Sequence, residues 1–295
     1  MRHKTVCALV ASMALALGVQ AVAQETPTVP KVIRIYREDI KQGREAAHEK
    51  SEAAISKFEM KYKYPANVLG LSAVAGPSEA WFIEGHDSFE SVENADLAIE
   101  KNSAMKAEFA TLDALDGEMR ANSRVFLAVL RPELSYKASQ FMSTLPKMRY
   151  LTTTIIRVRP RTDVRLAELG RKAVAAYERA MLEEPVATYQ VVSGGASGTY
   201  LLFTPIRSMK SMDEAPERQR AVVQALGSEG AMAFVKSASE IIVSEDVLLL
   251  SINPKMSYVS KDFAAGDPDF WNPKSEPAAK PAKAKPVEKP ATPGQ

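Results

Sequence analysis

The sequence predicts an α+β protein made of two consecutive β-α-β-β-α-β units, with their antiparallel sheets stacked into one barrel and a disordered C-terminal tail. Three observations predict this. A closing strand occurs twice, as Val125-Phe126-Leu127-Ala128-Val129-Leu130 and as Val247-Leu248-Leu249-Leu250-Ser251-Ile252; each runs into a proline (Pro132, Pro254) and then a Ser-Tyr pair (Ser135-Tyr136, Ser257-Tyr258) at the same spacing. Strand-like and helix-like periods follow one another in the same order before each copy. After Phe263 the composition changes to Pro, Ala and Lys.

The elements follow in order. Val32-Ile33-Arg34-Ile35-Tyr36-Arg37 alternates as a strand does. After Gly43 the spacing becomes helical, with Ala47, Ser51, Ala54, Ile55, Phe58 and Tyr62 on one face, until Pro65 stops it. Val68–Ala75 and Glu79–Glu84 form a hairpin around Gly76-Pro77, with Trp81 its largest side chain. Asp87–Glu93 reads as loop, and helix is expected from Asn94 to Met119 with a break near Gly117. The second unit repeats the order: a strand at Leu151–Arg159, a helix capped at Asp163, a hairpin of Ala187–Val192 and Thr199–Phe203, a loop at Pro205–Glu214, and helices from Ala215 to Ser239. The expected boundaries are 1–23 for a signal peptide, 24–30 for a leader, 31–136 and 148–262 for the units, 137–147 for a polar linker with few core residues, and 263–295 for the tail. Within that tail, Asp267-Pro268-Asp269-Phe270-Trp271 is expected to dock on the body.

Composition narrows the function classes. With 295 residues, 46% hydrophobic and 25% charged, the chain can bury two modest cores. Arg2 and Lys4, an apolar run from Val6 to Val19 and the small residues of Ala21-Val22-Ala23 read as a secretory signal, so the mature chain is expected in the periplasm or outside the cell. Discounting those two charges and the lysine surplus of the tail turns the formal +2 into a core near −3. The basic residues neither cluster nor interleave with aromatics, so no nucleic-acid partner is expected. No downstream stretch approaches the ~20 apolar residues of a membrane span. The tail is too poor in large apolar groups to fold alone, and its lysines and prolines suit contact with an anionic envelope surface or no partner at all.

Cys7, inside the signal, is the only cysteine, which excludes disulfides, thiol nucleophiles and Cys-ligated metal from the mature chain. No Ser elbow or P-loop occurs, and Gly194-Gly195-Ala196-Ser197-Gly198 reads as a hairpin turn. His48 reads as a surface or boundary residue beside the first helix's apolar stripe. Two distant histidines and scattered carboxylates show no metal-ligand spacing, so no metal and no cofactor are expected.

A lone β-α-β-β-α-β unit leaves one sheet face bare, and stacking two bare faces removes that exposed apolar surface. The entries Ile33-Arg34-Ile35-Tyr36…Gly43-Arg44-Glu45 and Ile155-Ile156-Arg157-Val158-Arg159…Leu166-Ala167-Glu168, with the closing strands at Val125 and Val247, resemble the ferredoxin-like dimeric α/β-barrel superfamily over about Lys31 to Asp262. That superfamily includes antibiotic-biosynthesis-monooxygenase, NIPSNAP-like and chlorite-dismutase-like groups. The resemblance implies a space between the sheets that holds an oxidisable aromatic or a haem. In the chlorite-dismutase-like groups the haem ligand comes from the second unit, which here has no histidine, and this departure counts against haem chemistry.

With Ile33 and Ile35 facing the helices, Arg34 and Tyr36 would line the inter-sheet space, joined by Arg157, Arg159, Thr188 and Gln190. Arginines around such a cavity favour an anionic or amphipathic ligand; the competing reading leaves them on a sheet edge in solvent. Trp81 and His86 are auxiliary candidates, His86 as an axial ligand or general base. No catalytic residue is assigned. Three readings stand: an exported non-catalytic small-molecule-binding module, a cofactor-independent monooxygenase-like enzyme on an aromatic, and an envelope scaffold.

Overall fold

The computed structural model describes residues 28–272; the expected signal peptide, most of the leader and the tail after 272 lie outside the described residues. The first half runs β1 (Val32–Ile40), α1 (Glu45–Tyr62), β2 (Asn67–Ala73), β3 (Glu79–His86), α2 (Phe89–Glu100), α3 (Ser103–Gly117) and β4 (Arg120–Leu130). A short helix, α4 (Ala138–Thr144), connects to the second half: β5 (Tyr150–Val158), α5 (Asp163–Arg179), β6 (Ala187–Ser193), β7 (Thr199–Ile206), α6 (Lys210–Asp213), α7 (Ala215–Leu226), α8 (Ser228–Ile241) and β8 (Ile242–Ile252). Two more short helices follow, α9 (Lys261–Ala264) and α10 (Pro268–Trp271).

The eight strands close in the order β1-β3-β2-β8-β5-β7-β6-β4, every neighbouring pair antiparallel. Each half contributes four strands in the same spatial order, β4-β1-β3-β2 and β8-β5-β7-β6, the ferredoxin-like arrangement. Short seams at Leu71–Ala73 against Leu250–Ile252, and at Leu127–Leu130 against Tyr189–Ser193, join the two sheets.

Local signals explain most boundaries. Lys63 takes a left-handed conformation that ends α1 just before Pro65. Ser88 and Ser91 form a reciprocal cap that starts α2, so helix begins inside the stretch expected as loop. Asn102 accepts a hydrogen bond from the Met105 amide and restarts the chain as α3, placing the helix break at 101–102 and not at Gly117. Asp163 is the first residue of α5 and not its cap; it accepts a hydrogen bond from the Tyr200 hydroxyl at 3.1 Å. In the β6–β7 turn Gly194 has φ +83°, and a Cβ there would lie 1.9 Å from the Val125 carbonyl oxygen.

The barrel interior is a packed core. Ile33, Ile35, Leu71 and Trp81 from the first half meet Leu151, Tyr189, Leu201, Phe203, Leu250 and Ile252 from the second. An eight-stranded barrel is just narrow enough for side chains to fill in this way. Two further clusters lie outside it. One, with Ile40, Phe58, Val68, Phe82, Ala95 and Met105, packs under α1, α2 and α3. The other, with Ile156, Val158, Leu166, Leu169, Tyr200 and Ile241, packs under α5 and α8.

One barrel end carries charge, where Arg37 binds Glu79 and Arg124 binds Asp39. The other is capped by apolar side chains of α4, α9 and α10. Phe141 and Leu145, in the segment expected to add little to the core, are buried there beside Phe263 and Trp271. Trp271 docks as its sequence predicts, its indole N–H donating to the Pro146 carbonyl at 2.8 Å. None of the helices among the described residues is long and apolar enough to cross a membrane.

Candidate functional site

Two cavities lie beside residues singled out by the sequence, one at the capped end of the barrel and one outside it, under the helices of the first half; a third, of about 310 Å³, lies between α5 and α7. The end cavity measures about 330 Å³. Ile33 of β1, Leu69 of β2, Ile83 of β3, Leu151 of β5, Tyr189 of β6 and Phe203 of β7 form its floor, and Phe141, Met142, Leu145 and Phe263 cover it. Leu69 and Ile83 face each other across the β2–β3 ladder and are partly exposed to the cavity. Its polar side chains are Thr28, Asn67, His86, Asp87 and Ser260, with the Tyr189 hydroxyl, which donates to the Pro30 carbonyl. This lining suits a small apolar or amphipathic molecule, because the few polar groups can orient a head group against largely apolar walls.

The outer cavity is smaller, about 200 Å³, and sets charged side chains among apolar ones such as Phe58, Phe82 and Phe109. Arg34 donates to Glu84 through Nε at 2.6 Å and through a terminal nitrogen at 3.1 Å, and to Asp96 at 2.6 Å. The Tyr64 hydroxyl donates to Glu84 at 2.7 Å. Burial pushes the Glu84 carboxyl up, but the close His86 and Arg34 side chains outweigh it and hold it at about 2. Glu59, on the same cavity, has no such cation: burial, with the Glu84 charge adding to it, raises its carboxyl to about 8.

Beside this cavity lies a knot of buried acid. Glu38 of β1, His48 and Glu52 of α1 and Asp116 of α3 are each nearly inaccessible, and one donor atom from each lies within 4.8 Å of the others. Arg120 closes the knot, with 2.8 Å to Glu38 and 2.7 Å to Asp113. Burial raises both the Glu52 and Asp116 carboxyls; nearby carboxylates add to the rise at Glu52, and the His48 charge partly opposes it at Asp116.

The residues predicted from sequence do not form one site. The phase of β1 is opposite to the expectation: Ile33 and Ile35 point into the barrel, so Arg34 and Tyr36 point outward, beneath the helices. The barrel interior is more apolar than the space under α1, and the Arg34–Glu84 ion pair is satisfied only on the outer face. Arg157 is exposed at the end of β5 and Arg159 is exposed beyond it, its Nε donating to the Glu240 carbonyl at 3.0 Å. Gln190 and Thr188 also face outward; Gln190 accepts from Arg131, and Thr188 donates to the Leu134 carbonyl at 2.8 Å. Trp81 is buried inside the barrel, the Arg37 guanidinium 5.0 Å from its ring, and does not line the end cavity. His86 alone reaches that cavity, at its rim, with Nε2 3.1 Å from Glu84 but not aligned to bond it. His48 is a buried member of the acid knot and not a boundary residue, which also corrects the expectation that no ligand cluster exists.

No protein-family model matches the chain, and no curated protein matches it. Solved structures do. An anthrone oxidase-like protein is similar at 12% identity over 77% of this chain and 94% of its own, with a TM-score of 0.50. A provisionally assigned monooxygenase from Fusobacterium nucleatum subsp. nucleatum shares 14% identity over 76% and 93% (TM-score 0.49). A chlorite dismutase from Candidatus Nitrospira defluvii in complex with imidazole shares 8% over 77% and 93% (TM-score 0.46). At such identities the likeness is one of fold. The chain has a ferredoxin-like α/β-barrel fold, with both sheets of the barrel supplied by one chain.

Proposed function

We propose that the protein is an exported, non-catalytic binding module that holds one apolar or amphipathic small molecule in the cavity at the capped end of its barrel. The observation that carries this reading is a 330 Å³ space walled by both halves of the chain and roofed by α4 and α9, with a mainly apolar lining. The ligand differs from the one the arginines implied: Arg34, Arg157 and Arg159 do not reach this space, so the walls select for apolar shape and not for anionic charge. Export rests on the charged start, apolar run and small-residue site at the N-terminus.

A neutral, environment-sensitive fluorophore, N-phenyl-1-naphthylamine, tests the site. The mature protein should bind it at one per chain with enhanced emission, and Ile83→Trp, which fills the cavity from its floor, should abolish the enhancement in a protein that still unfolds cooperatively. Binding unchanged in Ile83→Trp would refute the assignment. The second reading, oxygen-dependent chemistry on an aromatic in the same cavity, draws on the fold shared with the anthrone oxidase-like protein. Oxygen uptake with a reduced polycyclic phenol, lost in the same variant, would favour it.

A further inference from the structure

The acid knot under α1 buries more charge than its partners neutralise. Glu38, Glu52 and Asp116 are three carboxylates, each 6% exposed or less, and the one guanidinium among them is that of Arg120. A carboxylate so enclosed must be paired, protonated or bound to a metal, because its charge is too costly to leave bare.

The geometry has the dimensions of a coordination shell. His48 Nε2 is 2.9 Å from Glu38 Oε2, 3.7 Å from Asp116 Oδ1 and 3.8 Å from Glu52 Oε1. Donors bound at about 2.1 Å lie roughly 3.0 Å apart on an octahedral edge and roughly 3.4 Å apart on a tetrahedral one. The three separations from His48 bracket those values, and all four donors lie within 4.8 Å of one another, so closing on an ion draws the carboxylates inward. Asp116 supplies an independent sign. At 1% exposure its Oδ2 is ion-paired with the Arg120 Nε at 3.1 Å and Glu52 lies beside it, but Oδ1, 3.7 Å from His48 Nε2, has no well-aligned donor. Glu38 and Glu52 also line the outer cavity, which gives an ion a way in.

We infer that Glu38, His48, Glu52 and Asp116 bind one divalent first-row transition ion beneath α1, beside the outer cavity. A dication balances the two negative charges that Arg120 leaves over, with His48 neutral and ligating through Nε2. One imidazole with three carboxylates is a hard-to-borderline donor set suited to Mn²⁺, Fe²⁺ or Zn²⁺, and the buried imidazole disfavours Ca²⁺, which prefers six to eight oxygens. The ion would tie β1, α1 and α3 together and stabilise the half of the barrel they cover.

The test uses the full mature chain, stripped with chelator, loaded with Mn²⁺ and passed through gel filtration. One ion per chain should be retained, with a higher unfolding midpoint, and pulsed electron paramagnetic resonance should show nitrogen coupling from one imidazole. Glu52→Gln/Asp116→Asn should weaken retention at least ~100-fold, beyond the loss usual for removing a supporting residue alone, and His48→Gln should remove the nitrogen coupling. A stripped wild type that retains neither Mn²⁺ nor Zn²⁺ overturns the inference whatever the variants do. So does an ion without nitrogen coupling, or equal retention by the double variant, which would place it elsewhere on the chain.

Discussion

Replacing Arg34 with methionine should destabilise the protein by about 3–5 kcal/mol while leaving ligand uptake in the end cavity intact. Arg34 is 7% exposed and Glu84 1%, and they are directly cross-strand from each other on β1 and β3. Removing the guanidinium strands a carboxylate in a nearly dry site, a change that costs about 3–5 kcal/mol in comparable buried pairs. The titration of Glu84, which His86 and Tyr64 lower together with Arg34, is of the same order. Its carboxyl falls from an ordinary 4.5 to about 2 in the fold, which at ~1.4 kcal/mol per unit is worth roughly 3 kcal/mol. Asp96, whose side chain is 56% exposed, adds little because solvent screens it. The assay is urea unfolding at a series of pH values. Because the folded value of Glu84 lies below the unfolded one, its contribution is complete above about pH 4.5 and is lost as pH falls towards 2. The Arg34→Met variant should therefore be weaker at pH 7 and lose less on acidification than the wild type. Arg34→Met/Glu84→Gln should recover much of the loss. A cost below about 1 kcal/mol at pH 7, or an acid limb parallel to that of the wild type, would refute this account of the pair.

Three further outcomes follow from local geometry. Thr153 is fully buried with an unpartnered hydroxyl, so Thr153→Val should raise stability by about 1 kcal/mol, seen as a higher calorimetric midpoint. Gly194→Ala should cost on the order of 2–4 kcal/mol or prevent folding, since it puts a Cβ against the Val125 carbonyl at a positive φ; urea midpoints measure it. Glu59, raised to about 8, keeps a proton in the fold that the unfolded chain releases near pH 4.5, so wild-type stability should decline between those values. Glu59→Gln should remove its share of that decline, worth on the order of 1–3 kcal/mol once partial exposure of the pocket is allowed for.

Strand positions and element order were legible because alternation and helical spacing change cleanly at Gly43, Pro65 and the β6–β7 turn. The phase of β1 was not. Alternation separates a dry face from a wet one, but here both faces are covered, one by the opposite side of the barrel and one by helices. Ile33 and Ile35 then fit either side, and what decides is the charge on the alternate positions. Arg34 can be buried only opposite Glu84, a pairing that the register of β1 against β3 would have shown. The first helix misled for a related reason. Its inward stripe is His48, Glu52 and Ser56, polar residues at i, i+4 and i+8 that look like a solvated face unless Glu38 and Asp116 are brought to them by β1 and α3. The connection at 137–147 hid its core role in two residues, Phe141 and Leu145, too few for a periodicity but correctly spaced for one helical turn.

The most direct test of a filled end cavity is native mass spectrometry of the mature protein purified from its natural source, set against the mass after denaturation. The account predicts one additional small-molecule mass per chain that is lost on denaturation, belongs to an apolar or amphipathic compound, survives Arg34→Met and is absent from Ile83→Trp. A native mass equal to that of the bare chain, together with no binding of the neutral fluorophore, would contradict it.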